Sequence, residues 1–158
     1  MDDFVYFSAS DTVEREFEHQ MNSLTTVEFM GNVSYFLGIR YQWRQKNGEV
    51  KVHMSQEAFA DQLIEYAGLS HESATANPTP YRAGYPVDTI KSSPDDMPYK
   101  QKLEKELQTY VGSLVWLSQG TRPDLATITN ILAKYQNNPG YGHIAAAKYV
   151  IKIIGQSN

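Results

Sequence analysis

Two adjacent carboxylates, Asp2 and Asp3, stand at the start of the chain in MDDF. Carboxylate pairs hold hard cations such as magnesium, but magnesium demands near-octahedral geometry and more ligands than one adjacent pair supplies. Read alone, the pair therefore carries no activity. The chain has no cysteine in its 158 residues, which excludes disulfides and thiolate metal sites. His143 has no second histidine or carboxylate at ligand spacing and reads as a helix cap or surface residue. What remains is cationic chemistry. Lys148 and Lys152, four apart, share one helix face, and Lys134 can join them there to meet phosphate. Arg122, in TRPD, reads first as a turn anchor that binds helix-end carbonyls or pairs with Asp124, and second as a phosphate contact.

The charge distribution agrees with this ordering. Net charge is −4, yet residues 1–81 hold five Lys/Arg against twelve Asp/Glu, while residues 82–158 hold nine against six. Any phosphate-facing surface would belong to the C-terminal half, and the commoner reading of these charges is ordinary solvated helix faces.

These side chains need elements to hold them. Leu103, Leu107, Tyr110, Leu114 and Leu117 recur three or four apart, and so do Leu125, Ile128, Leu132 and Tyr135, then Ile144, Ala147, Ile151 and Ile154. Each set marks one face of a helix. Gly120 ends the first, Pro123 opens the second where a missing amide is tolerated, and Asn137, Asn138, Pro139 and Gly140 separate the second from the third. A helical hairpin or three-helix bundle follows. Upstream, MDDFVYF reads as a short apolar strand. Ser10 and Asp11 open a helix whose apolar stripe is Val13, Phe17, Met21 and Leu24, with Asp11 and Glu14 spaced as a capping pair. Val33, Tyr35, Leu37, Ile39, Tyr41 and Trp43 alternate as one strand. Asn47-Gly48 supplies a hairpin turn, and Val50, Val52 and Met54 return. That register puts both apolar sets on one face and Gln42, Arg44, Lys51 and His53 on the other, with Phe36 the exception. Ser55 caps a helix that ends at Gly68 and buries Phe59, Leu63, Tyr66 and Ala67. Between Ser70 and Tyr99 lie five of the seven prolines. This stretch reads as a connector over the surface, pinned at most by Tyr81, Tyr85 and Val87.

The run YVGSLVWLSQGTRPDLATITNILAKY, a Pro-Gly break and then H-x-x-A-A-K resembles the copia-type retrotransposon polyprotein, in the part of its reverse transcriptase that precedes RNase H. NVSYFLGI is similar to the strand pair after the family's catalytic hairpin, SQEAFADQL to the start of its thumb, and NPTP to the segment that follows. The resemblance implies an α+β fold: truncated palm strands with a β-hairpin and one helix, followed by a thumb helix and a three-helix bundle. It implies boundaries at 1–54 for the end of the palm, 55–69 for the first thumb helix, 70–99 for the connector and 100–158 for the helical thumb and connection region.

By the same resemblance, Asp2 and Asp3 correspond to the catalytic, metal-holding pair of the palm, with magnesium as the parent enzyme's cofactor. Arg44 and Lys51 become candidate primer contacts beside Arg122, Lys134, Lys148 and Lys152. The implied partners are an RNA/DNA template-primer duplex and the remaining polymerase half or RNase H domain. The aromatic residue that precedes the family's Asp pair is missing, and fingers, partner strand and third aspartate have no counterpart here. No polymerase activity is therefore expected of this chain by itself. No apolar run approaches the roughly 20 residues of a membrane span, and MDDFVYF lacks a basic leader, so an intracellular setting is expected.

Overall fold

The computed structural model describes residues 4–8, 10–70, 79, 87 and 90–155. It divides into two compact units, Met1–His53 and Met54–Asn158. Asp2 and Asp3 lie outside the described residues, as do Tyr81, Tyr85 and much of the proline-rich connector.

In the first unit, residues 4–8 run outside any strand, contrary to the expectation for the opening stretch. They accompany helix α1, Asp11–Leu24, which begins where Ser10 Oγ accepts the Val13 amide. The alternative of an aromatic cluster outcompetes strand pairing here. Tyr6 packs at a tilt with its ring 4.7 Å from that of Phe17, with Phe4 and Phe29 at its flanks, and its hydroxyl donates to Glu18 and Glu14. Partial burial, then the bond to Glu18, pushes the Tyr6 phenol up to about 12. No residue of α1 is buried, and Val13 and Leu24 at the ends of its expected stripe are exposed.

Three antiparallel strands follow in the order β1 (Tyr35–Phe36), β2 (Ile39–Lys46), β3 (Glu49–Ser55). Asn47 and Gly48, with φ of 53° and 79°, form the expected two-residue turn. The single strand expected from Val33 to Trp43 is instead a second hairpin. Leu37 and Gly38 both take positive φ, 47° and 76°, and pair Phe36 with Ile39 and Tyr35 with Arg40. Cross-strand partners share a face, so this turn reverses the side-chain parity. Phe36 joins Ile39, Tyr41 and Trp43, which removes the exception that a continuous strand would leave. Tyr35 and Leu37 become exposed instead. Gly38 tolerates the left-handed conformation freely; Leu37 adopts it at a cost of about 1–2 kcal/mol. Trp43 Nε1 donates to the Val33 carbonyl at 2.6 Å and helps hold the doubled-back chain.

The second unit is helical and carries the core. Helix α2 spans Glu57–Tyr66, α3 Lys100–Gly120, α4 Ala126–Ala133 and α5 Tyr141–Ile154, with short 3-10 turns at Pro94–Tyr99 and Pro123–Leu125. The long α3 packs against α2, α4 and α5. Leu103, Leu107, Tyr110, Leu114 and Leu117 are all buried along it, facing Leu125, Ile128 and Leu132 from the next turn and helix and Ile144, Ala147, Ile151 and Ile154 from α5. Each such leucine or isoleucine contributes about 1.5–3 kcal/mol on leaving water. Val87 is buried in the same core.

Helix α2 differs in detail from the sequence expectation. Its N-cap is Gln56, not Ser55, although Ser55 Oγ still accepts the Glu57 amide at 3.5 Å. Its buried stripe is Ala60, Leu63, Ile64 and Ala67; Phe59 is half-buried and Tyr66 is exposed. The end is as expected. Gly68 takes φ 67°, and the Gly68 and Leu69 amides return to the Glu65 and Ile64 carbonyls.

Candidate nucleic-acid interface

Two tight packing arrangements set the position of the basic residues. Gln56 is buried between the start of α2 and the end of α3, where its amide donates to the Trp116 carbonyl and accepts from Thr121 Oγ1. A side chain at Gly120 would collide with that amide, so glycine here permits close approach as well as ending α3. The second is the turn into α5. His143 is buried, stacks on Tyr135 at 4.3 Å, and accepts the Gly140 amide on Nδ1 at 2.9 Å. The cap reading of His143 thus holds and the surface reading does not. The pattern Pro-Gly-x-x-His builds a turn and packs it, because Gly140 sits against Asp96 and the backbone of Lys91 and Ser92. Among the described residues no group of three His, Cys, Asp or Glu side chains could hold a metal ion.

Burial pushes the His143 imidazole below its ordinary 6.5, since the charged ring would lose its solvation. Its Nε2 is buried without a hydrogen bond. Because the folded pKa lies below the unfolded one, the unfolded chain binds more protons as pH falls through 6.5. The stabilisation is complete above 6.5 and is lost as acid protonates the folded ring. Urea midpoints should therefore fall between about pH 7.5 and about pH 5. His143→Gln keeps an acceptor for the Gly140 amide without titrating, and should flatten that fall. An unchanged pH profile in the variant would show that the ring is not responsible.

The six cations named from sequence fall in three settings. On the hairpin, the two-residue turn places Arg44 directly opposite Lys51, on the side where Arg40 and Lys46 also project. Like charges facing each other at Cβ spacings of about 4.5–5.5 Å repel unless an anion lies between them. Lys51 reaches Glu49 at 3.9 Å, but both side chains are largely exposed, and such a pair is worth little. Arg122 is engaged structurally. Its guanidinium donates to both Asp124 oxygens at 2.9 and 2.7 Å and holds that carboxyl below its usual range.

Lys148 and Lys152 share a face of α5, and Lys134 ends α4 as an exposed C-cap. Lys148 Nζ lies 3.5 Å from Glu106, which also accepts the Tyr110 hydroxyl at 3.0 Å. Burial, then that bond to Glu106, raises the Tyr110 phenol. Lys102 and Lys105 of α3 border the same groove. The sequence reading passed over them: their spacing of three was visible, but only the packing of α5 on α3 brings Lys148 to their side.

Over 154 residues the chain is 25% identical to the uncharacterized mitochondrial protein AtMg00810 of Arabidopsis thaliana, covering 98% of this chain and 58% of that protein. Over 105 residues it is 26% identical to the retrovirus-related Pol polyprotein from transposon TNT 1-94 of Nicotiana tabacum. The chain is similar to a transposon's retrovirus-related Pol polyprotein. The resemblance drawn from its sequence is borne out at that level. The matched region is 66% of this chain and 8% of the Pol polyprotein, so this chain corresponds to a small part of that relative. No family model matches the chain, and no solved structure matches it. Among the described residues no helix is long and apolar enough to cross a membrane.

Proposed function

We propose that this chain is a piece of the reverse-transcriptase region of a copia-type retrotransposon polyprotein, comprising the end of the palm, the thumb and connecting helices, and that it contacts template-primer nucleic acid without performing polymerisation by itself. The observation that carries the reading is the match to the Pol polyprotein over two thirds of the chain. It is supported by the opposed Arg44 and Lys51 on the exposed hairpin face, whose mutual repulsion a phosphate would relieve. Magnesium would belong to the complete polymerase. Asp2 and Asp3 would supply two carboxylates toward it.

Binding to an RNA–DNA hybrid duplex should weaken steeply with salt, as counterions released by phosphate contact dictate. Arg44→Glu with Lys51→Glu should lower affinity and reduce the salt slope by about 2. Hybrid binding that neither weakens with salt nor responds to this pair would refute nucleic-acid contact at the hairpin. Primer extension on an RNA template should give no product above a protein-free control, and clear incorporation would show that the chain is a polymerase unaided.

A second reading, docking onto a more complete polymerase, is favoured by one observation. The hairpin face that carries Trp43, Val50 and Val52 is uncovered, with exposures of 37%, 58% and 41%. Contiguous exposed apolar surface of this kind marks an interaction site. Val50→Lys with Val52→Lys should abolish capture by an immobilised full-length copia-type polymerase and leave hybrid binding intact. Equal capture of parent and variant would remove this reading.

A further inference from the structure

The groove between α2, α3 and α5 combines two chemistries that the basic residues alone do not explain. Its volume is about 470 Å³, and it is bordered by Tyr66, Lys102, Lys105, Glu106, Tyr110 and Lys148. That is within the usual range of ligand-sized clefts, about 300–1,000 Å³. One carboxylate stands among three lysines, and it is already committed, to Lys148 at 3.5 Å and to the Tyr110 hydroxyl at 3.0 Å. Among the described residues no carboxylate pairs with Lys102 or Lys105. Both are exposed, three residues apart on the solvent side of α3. The groove therefore has positive charge to spare.

Its other feature is Tyr66. The ring is 60% exposed at the C-terminal end of α2, although the apolar stripe of that helix is otherwise turned inward. It meets the buried Tyr110 ring edge-on, with centroids 6.0 Å apart. The inner ring thus braces the outer one and leaves it open to a partner. The Schellman turn at Gly68 ends α2 immediately afterwards, so the helix does not continue past the ring to cover it.

We propose that this groove is a subsite for single-stranded nucleic acid, in which Lys102 and Lys105 meet backbone phosphates and Tyr66 stacks an unpaired base. Phosphate alone would need only the lysines, and an apolar partner would be ill served by three of them. A strand with unstacked bases uses both, because each nucleotide presents a negative charge and a flat π-face together. A duplex offers the charge but keeps its bases stacked on one another and out of reach of Tyr66. The proposal rests on the nucleic-acid reading above and goes further, in assigning the single strand to the helical unit.

The test is fluorescence anisotropy with a labelled oligothymidylate, an RNA–DNA hybrid duplex and free thymidine monophosphate as competitor. Tyr66→Ala should weaken oligothymidylate binding about tenfold or more with its salt slope unchanged, and Tyr66→Phe should bind as the parent does. Lys102→Glu with Lys105→Glu should weaken it and lower the salt slope by about 1.4. Hybrid binding should survive Tyr66→Ala, and thymidine monophosphate should not displace the strand at comparable concentration. Circular dichroism on each variant checks that α2 and α3 remain folded. If oligothymidylate binds the variants as it binds the parent, the groove is not the subsite, while hybrid binding lost in the hairpin variant would keep the wider reading standing. If thymidine monophosphate competes equally, the groove takes a free nucleotide and the strand proposal fails. If the parent binds neither strand nor hybrid, both readings fall.

Discussion

Leu107→Ala should destabilise the helical unit by about 2–5 kcal/mol, the cost of lost transfer free energy plus the cavity left behind. Leu107 is 0% exposed and lies in the middle of α3, the helix that touches α2, α4 and α5. Its neighbours come from several elements held by their own packing, so they have little freedom to collapse into the space. Urea denaturation followed by Trp116 fluorescence, with Trp43 replaced by Phe so that only the helical unit reports, measures the change. Val13→Ala provides the contrast, in a protein that keeps Trp43 and has Trp116 replaced by Phe so that the first unit reports. Val13 is exposed on α1, a helix with no buried residue, and its truncation should cost no more than about 0.5 kcal/mol. A Leu107→Ala loss as small as that would mean that the helical core is not packed as described.

The second large effect is expected at Gly140, where an added Cβ would lie 2.7 Å from Asp96 Oδ2, 3.1 Å from Ser92 Cα and 3.3 Å from the Lys91 carbonyl oxygen. Two of those neighbours are backbone atoms. The third belongs to a buried carboxylate that accepts the Ser93 amide at 2.6 Å. None can move without breaking something else. The cost is spatial, because Gly140 has a φ of −110° that any residue can adopt. Overpacking of this kind costs about 1–3 kcal/mol, and here it also displaces the amide that His143 accepts. Gly112→Ala is the matched control with the opposite sign. Nothing lies within 4 Å of an added Cβ there, in the middle of α3. That substitution should stabilise by about 0.4–1 kcal/mol through the unfolded chain. Thermal unfolding of the two variants distinguishes them, and a Gly140→Ala protein as stable as the parent would show that the connector end does not press on the turn.

The site residues divide in the same way as these two glycines. That Lys148 and Lys152 share a face follows from their spacing, and that Arg122 anchors its turn follows from Asp124 two residues on. That Lys148 is drawn to Glu106, and stands with Lys102 and Lys105 beside Tyr66, has no signature in spacing, because the partners are some forty residues apart. Gln56 illustrates the same limit. Only the arrival of the α3 terminus makes it a buried bridge.

The chain by itself determined the helical faces of α3, α4 and α5, the Asn47-Gly48 turn, the Gly68 terminus and the similarity to a Pol polyprotein. Each of these depends on periodicity, on the conformational freedom of one or two residues, or on residue order, all of which are local. Tertiary structure alone decided that Leu37 and Gly38 reverse the chain, that His143 is buried, and which lysines gather around one exposed tyrosine. A left-handed leucine is unfavourable locally and persists only because the pairing and the Trp43 bond beyond it outweigh that cost. Burial and charge grouping likewise depend on which distant surfaces meet, a choice made by the packing of whole helices.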